Sequence, residues 1–280
     1  EQLATLGRLP FVRAQSCGND FLIIDDRNDE LGPIAEPLAR LVCRRGASEG
    51  ADGILLIGTA RDPRCAVRMR LVNPDGSDGE MCGNGALAFA LVASDRLGVG
   101  RSFAIETMGG VVDARVTDAS VGIVLGQVSV DIQDLDIDVL DGSQTVHRLD
   151  IYSLPHAVVV MPQDPTLSGE QLDALGGAIC RHPVFERGTN VDFIFVPGTG
   201  GIAIRTFERG VDRATLSCGT GAIAATIVGQ RLGLGRSVAV RSAGGTLDVN
   251  LEHERGGRMT LDGRPRIIAD GHLLPGAWTQ

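Results

Sequence analysis

The hydrophobic positions of the chain alternate with polar ones in many short runs and follow a helical spacing in a few longer ones. Helical spacing with apolar faces predicts helices over residues 34–43, 85–97, 169–180 and 221–232. Alternating runs rich in β-branched residues predict strands at 21–25, 53–57, 67–71, 103–107, 111–116, 158–161, 192–196, 202–207, 238–241 and 246–251. Many strands with few helices, and a hairpin in each half, indicate an α+β protein.

The two halves of the chain repeat one order of elements. From Val67 to Gly100 there is a strand, a polar loop, the sequence CGNGA, an apolar helical run and the ending RLGVG. From Ile202 to Gly235 there is the same order, with CGTGA and RLGLG. A matching hairpin follows each stretch. Because unrelated loops would not share strand, motif, helix and hairpin in one order, the sequence predicts an internal duplication and two similar, pseudo-symmetric domains.

The repeat also suggests domain limits. We expect an N-terminal domain over residues 1–127 and a C-terminal domain over 128–265, with the chain crossing near 125–131. The second repeat is complete before the closing segment, so residues 266–280 are expected to return to the first domain. In such an arrangement both cysteine motifs would face one cleft between the domains, which is where we expect the active site.

Composition narrows the classes of function. The chain has 280 residues, 43% of them hydrophobic, which is enough for two ordinary cores and excludes a disordered chain. A net charge of −9 argues against nucleic acid or an anionic membrane as partner. All 26 basic residues are arginine. The absence of lysine excludes a pyridoxal-phosphate Schiff base on this chain and a Walker-type phosphate lysine.

The six cysteines show no CxxC pair and no zinc-ligand spacing, so no metal site is expected. We expect no signal peptide, and the given sequence has no apolar run as long as a membrane span. We therefore expect reduced thiols in a soluble, cytoplasmic protein.

Cys82 and Cys218 stand apart because each precedes a predicted helix and is followed by Gly-x-Gly. At that position the helix dipole and unpaired N–H groups favour the thiolate, so we expect a lowered pKa. The glycines let backbone N–H groups approach a carboxylate or an enolate-like oxygen. A single cysteine in such a turn is more often a small buried residue without a functional role. The presence of the same motif in both repeats favours a functional role for Cys82 and Cys218.

A pair of acid/base groups on opposite faces of one ligand suits inversion of a stereocentre. One thiolate removes the Cα proton and the opposing thiol delivers a proton to the other face. With no cofactor expected, helix-terminal N–H groups and desolvation must stabilise the carbanion.

The motifs resemble those of the diaminopimelate epimerase family, whose members are cofactor-independent two-cysteine epimerases. The resemblance runs from Phe11 to about Gly271. The matching segments are GNDF at 18–21, ADG at 51–53, NPDGS at 73–77, CGNG at 82–85, TNV at 189–191, ERG at 208–210 and CGTG at 218–221.

The resemblance implies a role for each matching residue. Cys82 and Cys218 would be the catalytic acid/base pair. The other implied residues would bind substrate. Those that would hold the reacting carboxylate through backbone N–H groups are Gly83, Asn84, Gly219 and Thr220. Those that would bind near the reacting amino group are Asn19 and Glu208, and those at the distal end of the substrate are Asn73, Asn190 and Arg209.

The departures from the family pattern concern the distal pocket. Leu154 stands where an asparagine is usual before Pro-His, and the segment around Arg213 is one residue longer than usual. We therefore expect an isomerase that epimerises or racemises an amino acid, with LL- or meso-diaminopimelate as the leading substrate. Another polar or basic amino acid, such as histidine, is the alternative.

Rival hypotheses remain from the sequence. One is a proline-racemase-like isomerase, and another is a binding protein that holds an amino acid without chemistry. The expected partner is a small-molecule amino acid rather than nucleic acid or a membrane, and a homodimer is an allowed assembly.

Overall fold

The computed structural model of the protein describes residues 7–127, 131–140, 142–162, 168–197, 200–251 and 258–274. Its helices are α1 Ala35–Val42, α2 Gly83–Leu97, α3 Gly169–Cys180 and α4 Gly219–Arg231. Its strands, in chain order, are β1 Leu9–Ser16, β2 Asn19–Asp25, β3 Gly53–Gly58, β4 Val67–Val72, β5 Asp78–Gly79, β6 Ser102–Thr107, β7 Gly110–Val116, β8 Val121–Gln127, β9 Gln133–Val139, β10 Gly142–Ile151, β11 Leu154–Met161, β12 Asn190–Phe195, β13 Ile202–Glu208, β14 Arg213–Ala214, β15 Ser237–Ser242, β16 Gly245–Leu251, β17 Arg258–Gly263 and β18 Arg266–Leu273. Each predicted helix and strand has a counterpart, which confirms the α+β class.

The chain divides into two compact units. The first runs to Val124 and resumes at Asp262, and the second is Leu125–Leu261. Residues 128–130 of the predicted crossing, and residues 1–6 and 275–280 of the predicted first domain, lie outside the described residues. None of the helices within the described ranges has the length and apolar character needed to cross a bilayer.

The sheet of the first unit combines parallel and antiparallel pairs. β2 runs parallel to β3, β3 antiparallel to β4, β4 parallel to β6, and β6 forms a hairpin with β7. β1 lies between β2 and β18, antiparallel to both. Leu22, Ile24, Ile54 and Leu56 pack with Leu38 of α1 in a fully buried core on one face of this sheet. Alternation along the strands turns Phe21 and Leu55 to the other face.

The second unit repeats this order of pairing. β11 runs parallel to β12, β12 antiparallel to β13, β13 parallel to β15, and β15 forms a hairpin with β16. β10 extends the sheet, antiparallel to both β9 and β11. Ala157, Val159, Val191 and Phe193 pack with Ile179 of α3 in one core. The duplication seen in the sequence is therefore present in the strand pairing of each unit.

Helices α2 and α4 each begin directly after a cysteine, two residues earlier than the apolar spacing predicted. The sulfur of each cysteine accepts a hydrogen bond from the third helical residue and so caps the helix. Gly98, in the left-handed conformation at φ 66°, ends α2. The caps place both cysteines, each half-buried, at the start of a buried helix.

Candidate active site

In the first unit, the site is built around Cys82 at the start of α2. Its backbone is extended, at φ −138° and ψ 115°, and the Gly85 N–H donates to its sulfur over 3.3 Å. The side chain therefore lies against the N-terminal N–H groups of the helix, where negative charge is stabilised. Gly83 and Asn84, both buried, form the first turn beside it.

Asn84 and Asn19 are brought together beside Cys82 by a short network. The Asn84 amide Nδ2 donates to Asn19 Oδ1 over 2.7 Å, and Asn19 Nδ2 donates to an oxygen of Asp52 over 3.3 Å. Asp52 in turn forms an ion pair with Arg45, 2.8 Å away. These bonds fix the orientation of the Asn19 amide before any substrate arrives.

Asn73 lies in a separate turn that follows β4. Its amide donates to the Ser77 hydroxyl over 3.0 Å, and its backbone N–H donates to the Ser77 carbonyl over 2.8 Å. Asn73 is half-buried in this turn, and both of these hydrogen bonds join residues of the NPDGS segment.

In the second unit, Cys218 occupies the same position at the start of α4. Its backbone is extended, at φ −128° and ψ 118°, and the Gly221 N–H donates to its sulfur over 3.3 Å. The Thr220 hydroxyl lies 3.4 Å from the same sulfur. Gly219 and Thr220 supply the first turn, as Gly83 and Asn84 do in α2.

A buried polar group lies beneath this second helix start. His156 Nδ1 is 2.6 Å from Asp192 Oδ2, and both side chains are completely buried. His156 Nε2 is 3.1 Å from the Thr220 hydroxyl, and the Thr206 hydroxyl donates to Asp192 Oδ1 over 2.7 Å. The parallel pairing of β11 with β12 and the antiparallel pairing of β12 with β13 bring these side chains together.

Asn190, Glu208 and Arg209 border the same region. The Arg209 backbone N–H donates to Asn190 Oδ1 over 3.0 Å, and its guanidinium donates to the Arg187 carbonyl over 3.1 Å. Glu208 ends β13 and pairs with Arg213 of β14, so the turn of the longer segment lies between them. The second unit thus connects Asn190 and Thr220 through His156 and places Glu208 where its charge acts on Cys218, whereas the Arg209 guanidinium is held at the Arg187 carbonyl.

The expectation of a lowered pKa is wrong for Cys218. The surrounding protein raises the pKa of this thiol well above its ordinary value, because desolvation disfavours the thiolate. The nearby carboxylates of Glu208 and Asp192 raise it further. The hydrogen bonds from the Thr220 side chain and the Gly221 N–H lower the pKa and are the smaller effects.

Sequence analysis did not assign roles to His156, Asp192 and Thr206. A signal for Asp192 was available, because it is a charged residue inside an otherwise apolar strand, NVDFIF. Such a residue requires a partner when buried, and the sequence did not indicate which one.

The arrangement offers two thiols at helix starts, with backbone donors beside each. Thiols can exchange protons with a carbon acid, and helix-terminal N–H groups can stabilise a developing oxyanion. Within the ranges that the structure describes, no cluster of three or more His, Cys, Asp or Glu side chains has the geometry of a metal site.

Comparison with known proteins gives consistent results. The family model described as diaminopimelate epimerase matches residues 11–130 and 152–268. The diaminopimelate epimerase of Methanothrix thermoacetophila is 34% identical, over 89% of this chain and 91% of that protein. The diaminopimelate epimerase of Hydrogenobaculum is 32% identical, over 94% of this chain and 97% of that protein.

Among solved structures, a hydroxyproline epimerase from Agrobacterium vitis, with bound trans-4-hydroxy-L-proline, has a similar fold. It superposes with a TM-score of 0.72 at 18% identity, over 95% of this chain and 92% of that chain. The likeness confirms the predicted fold class.

Proposed function

The chain belongs to the diaminopimelate epimerase family, a family of isomerases, and on that premise we propose that it inverts an amino acid at Cα with Cys82 and Cys218 as acid and base. The observation that carries the proposal is the pair of helices, one in each unit, that begin directly after a sulfur cap. Two equivalent thiols suit a reaction whose forward and reverse directions exchange the roles of acid and base.

In the proposed mechanism, one cysteine acts as thiolate and removes the Cα proton while the other, as thiol, protonates the opposite face. The C–H bond on one face breaks, its electron pair moves into the carboxylate, and a new C–H bond forms on the other face. The backbone N–H groups that stabilise this charge are those of Gly83, Asn84, Gly219 and Thr220. This requires both cysteines to reach one Cα, from opposite faces.

The polar residues beside each cysteine supply the binding groups of the proposal. Asn19 and Glu208 would hold the reacting ammonium, Glu208 by its charge. The distal end of the substrate would be bound by Asn73, Asn190 and Arg209. Support comes from the fixed amide of Asn19 and from the bond that ties the Arg209 backbone to Asn190. The guanidinium of Arg209 offers a planar fork to a distal carboxylate.

The proposed substrate is LL- or meso-diaminopimelate, the amino acid named in the relatives. Leu154 favours a second candidate, another polar or basic amino acid such as histidine, because leucine cannot bond a distal amide or carboxylate. We propose that the enzyme is cytoplasmic, acts in amino-acid biosynthesis and needs no cofactor. It has no nucleic-acid or membrane partner, and a homodimer is allowed.

The proposal is tested by incubating candidate amino acids with the enzyme in deuterated water. Exchange at Cα is followed by NMR and inversion by chiral chromatography. We expect diaminopimelate to show both exchange and inversion at Cα. Binding of every candidate without exchange would instead support a non-catalytic binding protein.

Substitution of each cysteine tests the two-base assignment. We expect Cys82→Ser and Cys218→Ser each to lower turnover about 10²- to 10⁴-fold, because a hydroxyl is a far weaker acid than a thiol. Cys65→Ser, in the loop between β3 and β4, is the matched control and should retain activity. Near wild-type turnover in either of the first two folded variants would contradict the assignment.

A further inference from the structure

The hydrogen bonds beside Cys82 can run in only one direction, because they begin at a group that can only accept. Asp52 is the anion of an ion pair with Arg45, 2.8 Å away, so its carboxylate accepts hydrogen bonds and donates none. The Asn19 atom that lies 3.3 Å from Asp52 Oδ2 is therefore the amide nitrogen. The backbone N–H of Asp20 donates to the same oxygen over 3.1 Å. Two donors from adjacent residues thus meet at one carboxylate oxygen.

The oxygen of the Asn19 amide is then fixed as well. It lies 2.7 Å from the Asn84 amide nitrogen, which donates to it. The Asn84 oxygen in turn lies 3.4 Å from the Ser16 hydroxyl, which can donate. Ser16 and Asn84 are both buried. Every bond inward from Asp52 therefore agrees with one orientation, in which the Asn19 oxygen faces the first turn of α2 and its nitrogen faces the loop that carries Asp52.

Arginine side chains hold the loop that carries Asp52 on the β1–β2 hairpin. Arg13 of β1 donates to the Gly50 carbonyl over 2.7 Å. Arg13 also pairs with Asp20 of β2, and Asp20 pairs in addition with Arg45. The Asp20 side chain is only 11% exposed, so solvent ions screen its pairs less than they screen surface pairs. The position of Asp52 is therefore set by contacts within the first unit.

The second unit has different residues at the corresponding positions. The β1–β2 hairpin resumes at Asn19 after its turn, and the equivalent β10–β11 hairpin resumes at Leu154. The loop before β3 ends at Asp52, and the loop before β12 ends at Thr189. Since leucine and threonine carry no charge, the duplicated sheet forms without these ionic contacts. Partial burial of charged groups has a desolvation cost, and their presence in one unit alone indicates a role at the helix start of that unit.

We infer that Asp52 is a positioning residue that holds the Asn19 amide with its oxygen towards the start of α2, where this oxygen accepts a hydrogen bond from the ammonium of the substrate. That the ligand is an amino acid rests on the proposed function. The Asn19 oxygen has two lone pairs, of which Asn84 uses one, so one remains for the ligand. If the amide were rotated, its NH₂ group would face the ammonium, and two donors would oppose each other.

The inference predicts a selective loss of binding in Asp52→Ala. The Asn19 amide then loses the acceptor that orients it, and the ammonium loses a fixed partner. Because the ammonium makes this contact both in the ground state and in the transition state, its loss raises KM rather than lowering kcat. We expect KM for meso-diaminopimelate to rise about tenfold, as for a weak hydrogen bond to a charged group. We expect kcat to change by less than about twofold.

Asp52→Asn separates the orientation of Asn19 from the charge of the carboxylate. Its amide oxygen can accept from Asn19 and from the Asp20 N–H, while its NH₂ faces Arg45, so two of the three contacts remain. We expect KM to stay within about threefold of the wild-type value. Asp62→Asn, which removes a carboxylate from another ion pair of the first unit, is the matched control and should leave KM unchanged. A tenfold rise of KM in Asp52→Asn would assign the effect to charge and overturn the inference.

A double-mutant cycle tests whether Asp52 acts through Asn19. In an Asn19→Ala background there is no amide to orient. We expect Asp52→Ala to raise KM by less than about twofold in that background, against the tenfold rise expected in the otherwise unsubstituted enzyme. Equal factors in the two backgrounds would mean that Asp52 acts by another route and would overturn the inference.

Proton NMR of the unsubstituted protein tests the orientation of Asn19 without turnover and without a change at Asp52. The Asn19 NH₂ and the Asp20 N–H donate to one oxygen, so their hydrogens lie close together. We expect a nuclear Overhauser effect between them, with the Asn19 signals identified by their loss in Asn19→Ala. An Asn19 NH₂ that shows such an effect only with the Asn84 NH₂ would overturn the inference. Absence of Cα exchange, with the expected effect to Asp20 present, would reject the proposed function alone.

Discussion

The two cysteines at the helix starts share one local geometry and differ in what surrounds them. Each sulfur accepts a bond from the third residue of its helix at 3.3 Å. Beside Cys82 lies the pair Asn84 and Asn19, whereas Cys218 contacts Thr220 and, through it, His156. At the scale of single residues, the duplication thus supplies two similar thiols, and a few side chains make them chemically different.

Leu154 is the residue whose substitution best tests substrate choice. It begins β11 two residues before His156, on the same side of the strand. We expect Leu154→Asn to raise kcat/KM for diaminopimelate relative to other amino acids about two- to tenfold, the value of one neutral hydrogen bond. Leu154→Met, which adds no donor, is the control. If the asparagine variant changes no ratio, the distal pocket does not include this position.

At the scale of elements, the first turns of α2 and α4 meet different neighbours. A Cβ on Gly221 would overlap the Asp192 carboxylate and lie 3.0 Å from the Thr206 hydroxyl. A Cβ on Gly85 would meet only ordinary or slightly tight contacts, 3.3 Å from Cys82 Cβ and 3.4 Å from the Phe21 ring. The polar group beneath α4 therefore depends on the missing side chain of Gly221.

This difference predicts unequal costs for the same substitution. Gly221→Ala should lower the free energy of unfolding by about 1–3 kcal/mol, because the carboxylate must leave His156 and Thr206. Gly85→Ala should change it by less than about 1 kcal/mol, since alanine favours the helix and its contacts are mild. Urea unfolding of the wild type and both variants measures the two changes in the free energy of unfolding. Equal stabilities would mean that Asp192 can move aside without cost.

At the scale of the whole molecule, each unit has its own core and its own cysteine-capped helix. The first unit also depends on a segment from the far end of the chain. β18 pairs with β1 from Leu9–Leu273 to Gln15–Arg266, and the Phe11 ring packs directly on Gly271. The first unit can therefore fold completely only after β18 has been synthesised.

A chain that ends at residue 263 should fail to fold its first unit, because β1 loses one partner strand and Phe11 loses its cover. The expected loss is comparable to the few kcal/mol by which a domain is stable. Limited trypsin digestion should cleave rapidly within residues 9–116 and spare the second unit. A chain that ends at residue 274 keeps β18 and is the control. Equal resistance of both chains would contradict the role of β18.

The sequence by itself determined helices α1–α4, ten of the strands, the duplication and the two cysteine motifs. Strands such as β2 and β12 have a strong apolar pattern, and helices such as α2 have an apolar spacing, so local periodicity was sufficient. β1, β5, β8, β9, β10, β14, β17 and β18 were not predicted. β5 and β14 have two residues each, too few to show a period. β9, QDLDIDV, alternates regularly, and this signal was not used.

Only the tertiary structure decided which polar residues meet. His156 is separated from Asp192 by 36 positions and from Thr220 by 64, and strand register alone brings them into contact. Periodicity along a chain reports which side chains are buried, but a hydrogen-bond partner depends on how strands pair. The pKa of Cys218 was mispredicted for the same reason. Burial and two carboxylates that are remote in the sequence, Glu208 and Asp192, raise this pKa by more than the Gly221 N–H at the helix start lowers it.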